Sequence, residues 1–174
     1  ANIARHHIIT GNFVVDITSH SSRTKTSMYK VFQQDVFDKY DDPAREMAKR
    51  FWERIGYEAT DNPDKYGTDL LVRGKGKTFT CEVEVKSVWH GVTFHFDSLH
   101  IPVRKAKFLN KSVKFMIFNN SLTHAAIVGH NAVVNAPIIE VPNIHIAKGE
   151  RFFDIAKSDI HIVPVFESKQ PMSA

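Results

Sequence analysis

Charged side chains stand at alternate positions of one predicted strand. In the run TCEVEVK these are Glu82, Glu84 and Lys86. Because alternate residues of a strand share a face, all three lie on one side, while the cysteine and two valines between them face a core. Such a row is also typical of a strand that faces solvent. The residues of the neighbouring strand distinguish a functional site from an ordinary exposed surface.

A glycine turn supplies that partner strand. Residues 68–73 and 78–85 flank the sequence GKGK, which is the pattern of a β-hairpin. If Lys75 and Gly76 are the two turn residues, the numbers of paired residues sum to 151.

This register brings a third carboxylate to the same place. Asp69 lies opposite Glu82 and diagonal to Glu84. Because like charges across a strand pair repel each other, three carboxylates together indicate a bound cation, and oxygen ligands suit Mg²⁺ or Mn²⁺ rather than Zn²⁺.

The clearest helix precedes the hairpin. Asp42 can cap it, Pro43 suits its first turn and Gly56 can end it. Its apolar residues fall on one side at helical spacing, so we expect it to pack on a flat surface such as a sheet.

The remaining elements complete a mixed sheet. The patterns predict strands at 12–18, 92–96, 113–118 and 125–128, a polar loop at 19–26, a weak helical pattern at 29–37, a short helix at 102–109, and a last segment with an edge strand within 152–165. The expected fold class is α/β (α+β), with a central mixed β-sheet flanked by helices.

Composition limits the class of protein. With 174 residues, 43% hydrophobic and 24% charged, the chain is predicted to form one globular domain rather than a disordered tail or a rod. The lone Cys81 excludes an internal disulfide and a cysteine zinc site, which favours an intracellular, cytoplasmic location. No run of about 18 apolar residues predicts a membrane span.

Positive charge is concentrated after the hairpin. Between Asp97 and Glu140 there is no acidic residue, and this stretch contains Arg104, Lys105, Lys107, Lys111 and Lys114. The run suits a polyanion such as nucleic acid, although a solvated helix face has the same composition. Arg23 and Lys25, in the polar loop, are further candidates for contact with a nucleic-acid backbone.

The order of these elements resembles the PD-(D/E)xK nuclease superfamily, the restriction-endonuclease-like core shared by restriction enzymes, Holliday-junction resolvases and phage nucleases. The resemblance rests on GTDLL at Gly67 and on Glu84-Val85-Lys86, with fourteen residues between Asp69 and Glu84. It covers about residues 42–118 and implies a nuclease core at about 42–130, with extensions at 1–41 and 131–174. Thr68 stands where the family's namesake motif has proline.

The resemblance implies a Mg²⁺-dependent or Mn²⁺-dependent endonuclease that acts on DNA. Asp69, Glu84 and the carbonyl of Val85 would hold the metal, and Lys86 would orient or deprotonate the attacking water. Glu46 is similar to an acid on the first helix of resolvase-like members, or is only a first-turn acid that suits the helix dipole. Members of the superfamily commonly form homodimers, and a compact phage-like nuclease fits the chain length.

Several alternatives stay open at this point. The fold could serve as an inactive nucleic-acid-binding or assembly module, or the substrate could be RNA. Glu82 is either an auxiliary ligand or a rim acid. Tyr66 and Trp89 flank the candidate site, where they are either core residues or aromatic rings that stack on nucleic-acid bases. The ten histidines are scattered, and His90, His95 and His100 alternate faces on a strand.

Overall fold

The computed structural model describes residues 34–143 and 146–166. Two α-helices, nine strands and two 3₁₀ helices follow each other in this part of the chain. In chain order they are α1 (Gln34–Arg54), β1 (Glu58–Asp61), β2 (Leu70–Gly74), β3 (Lys77–Val85), β4 (Ser98–Pro102), a 3₁₀ helix (Val103–Phe108), β5 (Val113–Phe118), β6 (His124–Gly129), α2 (His130–Asn135), β7 (Ile138–Asn143), β8 (Ile146–Ala156), a second 3₁₀ helix (Lys157–Asp159) and β9 (His161–Pro164).

The strands form two sheets. The larger has the order β1-β2-β3-β5-β6-β9 and the smaller has the order β4-β8-β7. The pair β3 and β5 is parallel, and the other pairs in both sheets are antiparallel. The predicted fold class, a mixed sheet with helices, is confirmed. The sequence did not reveal the smaller sheet, whose strands come from distant parts of the chain.

The hairpin has the predicted register. Leu70 pairs with Cys81, so paired numbers sum to 151. Lys75 and Gly76 both have positive φ, 52° and 70°, as a two-residue type I′ turn requires. The turn therefore fixes which side chains of β2 and β3 meet.

Helix α1 ends as predicted but begins earlier. Gly56, with φ of 88°, donates to the carbonyl of Glu53, and Tyr57 donates to the carbonyl of Trp52. This pair of bonds is a Schellman motif. The predicted start at Asp42 is wrong, because the preceding residues are helical too and Pro43 lies inside α1; a proline removes one main-chain bond without always ending a helix.

The two faces of the larger sheet bury different clusters. Helix α1 covers one face, where Phe51 and Trp52 pack on residues that include Phe79 and Cys81. The rings of Trp52 and Phe79 meet edge to face with centroids 5.1 Å apart. The opposite face packs against a second cluster that includes Leu99 of β4 and residues of β5 and β8. The alternating pattern of β3 therefore separates a core face from the face of its charged residues.

The predicted strand at 92–96 is wrong. This segment is irregular, and the strand comes later, as β4. The apolar pattern arises because Phe94 packs on Trp89 with ring centroids 5.1 Å apart, while the Trp89 indole donates to the carbonyl of Thr93 at 3.0 Å. Buried aromatics in a loop thus imitate a strand pattern.

Most of the other predicted elements are present. The structure confirms the strands at 113–118 and 125–128 and the edge strand in the tail. The short helix that follows Pro102 is a 3₁₀ helix. The strand at 12–18 and the loop at 19–26 lie outside the described residues, and only the end of the 29–37 pattern, within α1, falls inside them. Within the described residues, no helix has the length and apolar character needed to span a membrane.

Candidate functional site

A cleft of about 430 Å³ opens beside the C-terminal half of β3. The strand forms one wall, and β4 with the following 3₁₀ helix forms another. Seven residues singled out from the sequence line it. They are Asp69, Glu82, Glu84, Val85, Lys86, Arg104 and Lys105.

Asp69 enters the cleft where β2 begins. It precedes the first residue of the strand, and its Oδ2 accepts a hydrogen bond of 2.8 Å from the N–H of Val83. In a continued ladder that N–H would meet the carbonyl of Thr68, since the paired numbers sum to 151. The carboxylate therefore replaces a main-chain acceptor, which fixes its position against β3.

The loop before Asp69 is held by its own hydrogen bonds. The N–H of Asn62 donates to the Asp69 carbonyl at 2.9 Å, and the N–H of Tyr66 donates to the Asp64 carboxylate at 3.0 Å. Thr68 is buried, and its hydroxyl oxygen accepts a long bond of 3.4 Å from the Asn62 amide. The loop can hold Asp69 in place without the proline of the family motif.

The two glutamates of β3 share one ammonium group. Lys105 Nζ donates to Glu82 Oε1 at 2.7 Å and also contacts Glu84 Oε1. The side chains of Lys105 and Glu82 are each 12% exposed. Lys105 was predicted as a nucleic-acid contact on a basic surface, whereas the structure buries it against the carboxylates.

Burial and neighbouring charges change the pKa values of these groups. Burial raises the pKa of Glu82 to about 7, and Asp69 and Glu84 add to that rise while Lys105 opposes it. For Lys105, burial lowers the pKa, but the two glutamates outweigh this effect and the net pKa is raised. Neighbouring carboxylates therefore favour the protonated form of both residues, in addition to burial for Glu82 and against burial for Lys105.

Lys86 follows β3 and is only partly exposed to solvent. Its N–H continues the sheet by donating to the Phe118 carbonyl at 2.9 Å, and its Nζ lies 4.4 Å from the centre of the Phe96 ring. Burial lowers the pKa of Lys86, opposed by the attraction of Glu84. A lysine ammonium group whose pKa is lowered can donate a hydrogen bond to an anion and can also exchange its proton.

The carbonyl of Val85 lies on the Asp69 side of the strand. The N–H of Val83 points to Asp69 and that of Lys86 points to Phe118 on β5. Because the main-chain groups of successive strand residues point to opposite sides, Val85 points the same way as Val83.

Carboxylates of Asp69 and Glu84, with this carbonyl, make an all-oxygen donor set that suits Mg²⁺ or Mn²⁺. Within the described residues, however, no three His, Cys, Asp or Glu side chains are gathered about one point. The reason is visible in the contacts: Asp69 bonds to Val83, while Glu82 and Glu84 turn toward Lys105.

Other predicted site residues lie at the rim or elsewhere. Arg104 lines the cleft, is 64% exposed and pairs with Glu150. Lys107 is exposed and lies over the Phe108 ring rather than in the cleft lining. Glu46 is exposed on α1, pairs with Lys49 at 2.7 Å and is not among the residues that line the cleft. Arg23 and Lys25 lie outside the described residues.

The aromatic candidates separate clearly. Trp89 is completely buried, as expected of a core residue, whereas Tyr66 is 88% exposed on the loop before Asp69. Tyr66 is therefore not a core residue and presents its ring to solvent.

His100, one of the scattered histidines of the sequence, is a cleft residue that was not predicted as part of the site. It lies in the cleft lining, and its Nε2 is 3.2 Å from Asp154 Oδ1. The two residues are partners in the β4 and β8 ladder. No local spacing could reveal a pair separated by more than fifty positions.

No known protein-family model matches this chain, and a search of characterised proteins finds no relative. The functional interpretation therefore rests on the cleft itself.

Proposed function

We propose that this protein is a metal-dependent nuclease that hydrolyses phosphodiester bonds in DNA. The observation that supports this most strongly is the meeting of Asp69, Glu84 and Lys86 in one cleft. A hairpin register brings Asp69 to β3, and the strand presents Glu84 and Lys86 on the same face.

The metal would be Mg²⁺ or Mn²⁺, held by Asp69, Glu84 and the carbonyl of Val85. When bound, such an ion neutralises charge on the phosphate and lowers the pKa of water. The oxygen-only donor set supports this choice of metal.

Lys86 would donate a hydrogen bond to the phosphate or to the attacking water. Its partial burial makes the ammonium a stronger electrostatic partner for an anion than a fully solvated lysine. Its lowered pKa also favours proton exchange during hydrolysis. Both roles need the ammonium near Glu84, whose attraction opposes the effect of burial on the pKa of Lys86.

The substrate would approach over the rim. Lys107 is exposed, and Arg104 is largely exposed although it pairs with Glu150, so both offer positive charge near a cleft whose carboxylates would otherwise repel a polyanion. Tyr66 offers an exposed ring on which a base can stack. These contacts are available to RNA as well as to DNA, so both belong in the test.

The test is cleavage of a substrate panel by the wild type and by Asp69→Asn. Supercoiled plasmid, linear duplex, branched DNA and RNA are each incubated with Mg²⁺, Mn²⁺ or EDTA. We expect cleavage of DNA with either metal, none with EDTA, and a loss of about a hundredfold or more in Asp69→Asn.

Cleavage of RNA alone would assign the RNA-directed activity instead. Binding that falls steeply with added salt, without cleavage of any substrate, would overturn the nuclease and favour the inactive binding module. Cleavage by Asp69→Asn at the wild-type rate would show that another site or a contaminant is responsible.

A further inference from the structure

Lys105 occupies a position that a second cation would take. Its Nζ touches Glu82 Oε1 at 2.7 Å and Glu84 Oε1 as well, and its side chain is 12% exposed. A lysine with this burial and two carboxylate partners is an internal counter-ion rather than part of a basic surface.

The oxygens of the acidic cluster fall into two groups. Asp69 is held against the strand by the Val83 N–H, and the carbonyl of Val85 lies on the same edge of β3. Glu82 and Glu84 each present an oxygen to the Nζ of Lys105. The cluster therefore offers a cation position at the Asp69 edge and another between the two glutamates, and the ammonium group of Lys105 lies in the second.

We propose that Lys105 fills the second position permanently, so that the cleft binds one divalent ion and not two. This inference rests on the proposed metal-dependent function. With all groups ionised, and with Arg104 balanced by its partner Glu150, the three carboxylates Asp69, Glu82 and Glu84 face the two ammonium groups of Lys86 and Lys105, a formal charge of −1. One divalent ion brings this charge to +1, whereas a second would bring it to +3 and repel its neighbours.

Removal of the Lys105 charge reverses this balance. The oxygens of Glu82 and Glu84 lose their cation, and the space between them is free for an ion. The first ion also loses a repulsive neighbour, so its affinity rises.

The experiment is calorimetric titration of metal-free protein with Mn²⁺, without nucleic acid, for the wild type, Lys105→Met and Lys157→Met. Lys157 is an exposed lysine of the other 3₁₀ helix, outside the cleft lining, and controls for the loss of one positive charge. We expect one ion for the wild type and for Lys157→Met. Lys105→Met should bind two ions, the first about tenfold more tightly than in the wild type.

Two bound ions in the wild type would overturn the inference and leave the nuclease proposal standing. The same would follow if Lys105→Met bound one ion with the wild-type affinity. No binding of Mn²⁺ by the wild type would overturn the metal-dependent function and this inference together. Circular dichroism checks the fold, and Lys105→Gln, which is neutral but keeps a hydrogen-bond donor, replaces Lys105→Met if that variant does not fold.

Discussion

At the scale of single residues, the cleft is governed by an excess of negative charge. Asp69 and Glu84 each repel the negative charge of Glu82, and Lys105 relieves only part of this repulsion. Glu82 is also largely buried, and burial together with this repulsion raises its pKa to about 7. Its proton affinity therefore links the stability of the metal-free protein to pH.

Replacement of Glu82 by glutamine tests this link. The pKa of Glu82 is about 7 in the folded protein against an ordinary 4.5, so the folded state binds a proton that the unfolded state releases between these values. Wild-type stability is therefore full below the lower value and falls as pH rises through about 7. Since glutamine imitates the protonated acid, we expect Glu82→Gln to be more stable by about 2 kcal/mol near pH 8 and similar near pH 5.

Urea denaturation in EDTA at both pH values provides the measurement. A variant less stable than the wild type near pH 8 would show that the ionised Glu82 and its pair with Lys105 stabilise the fold.

The turn chemistry made part of this site predictable. Once Lys75 and Gly76 were assigned to a two-residue turn, the position of Asp69 against Glu82 followed from pairing alone. The burial of Lys105 did not follow, because its chain position lies more than twenty residues from Glu82 and its direction depends on β4 and the 3₁₀ helix. Local spacing predicts contacts within a hairpin, whereas contacts between sheets require the whole fold.

At the scale of elements, the end of α1 sets the approach of the chain to the sheet. Gly56 has a positive φ, and a Cβ there would lie 3.2 Å from the Lys75 side chain. The Schellman bonds then lead directly into β1, and the rings of Tyr57 and Trp52 meet with centroids 5.8 Å apart. This end was predictable because only glycine adopts that conformation at low cost.

Gly56→Ala should therefore lower the free energy of unfolding by about 1–2 kcal/mol. Glu53→Ala, an exposed position in the same last turn, is the matched control and should change it by less than about 0.5 kcal/mol. Both values come from chemical denaturation. Equal effects in the two variants would argue against a role for the left-handed residue.

The beginning of α1 and the segment 92–96 show where element prediction fails. A proline after an acidic residue imitates a helix start, although the helix already runs through it. Phe94 at a strand-like spacing packs in a loop beside Trp89. In both cases tertiary packing decides between structures that the local pattern leaves equivalent.

At the scale of the described chain, the larger sheet separates two buried clusters. The cluster under α1 contains Cys81, and the cluster on the opposite face contains Leu99 and Ile117, which also line the cleft. One face of β3 therefore serves stability and the other presents the candidate chemistry. Cys81 is fully buried between α1 and the sheet, so the reactivity of its thiol measures how well the first face is packed.

Cys81 should resist thiol reagents in the native protein. Burial raises its pKa to about 12, so both access and the thiolate form are lacking at neutral pH. With an aromatic disulfide reagent we expect no rapid reaction in buffer and one thiol per chain in denaturant. Rapid stoichiometric labelling of the native protein would contradict the packing of α1 on β3.

Plasmid cleavage in Mg²⁺ by the wild type, Lys86→Ala and Lys77→Ala tests directly whether Lys86 takes part in hydrolysis. Lys77 is an exposed lysine at the other end of the same strand, outside the cleft lining. We expect that Lys77→Ala cuts like the wild type and that Lys86→Ala, still folded, loses about a hundredfold or more in rate. Equal cleavage by all three proteins, or none by the wild type, would contradict this expectation.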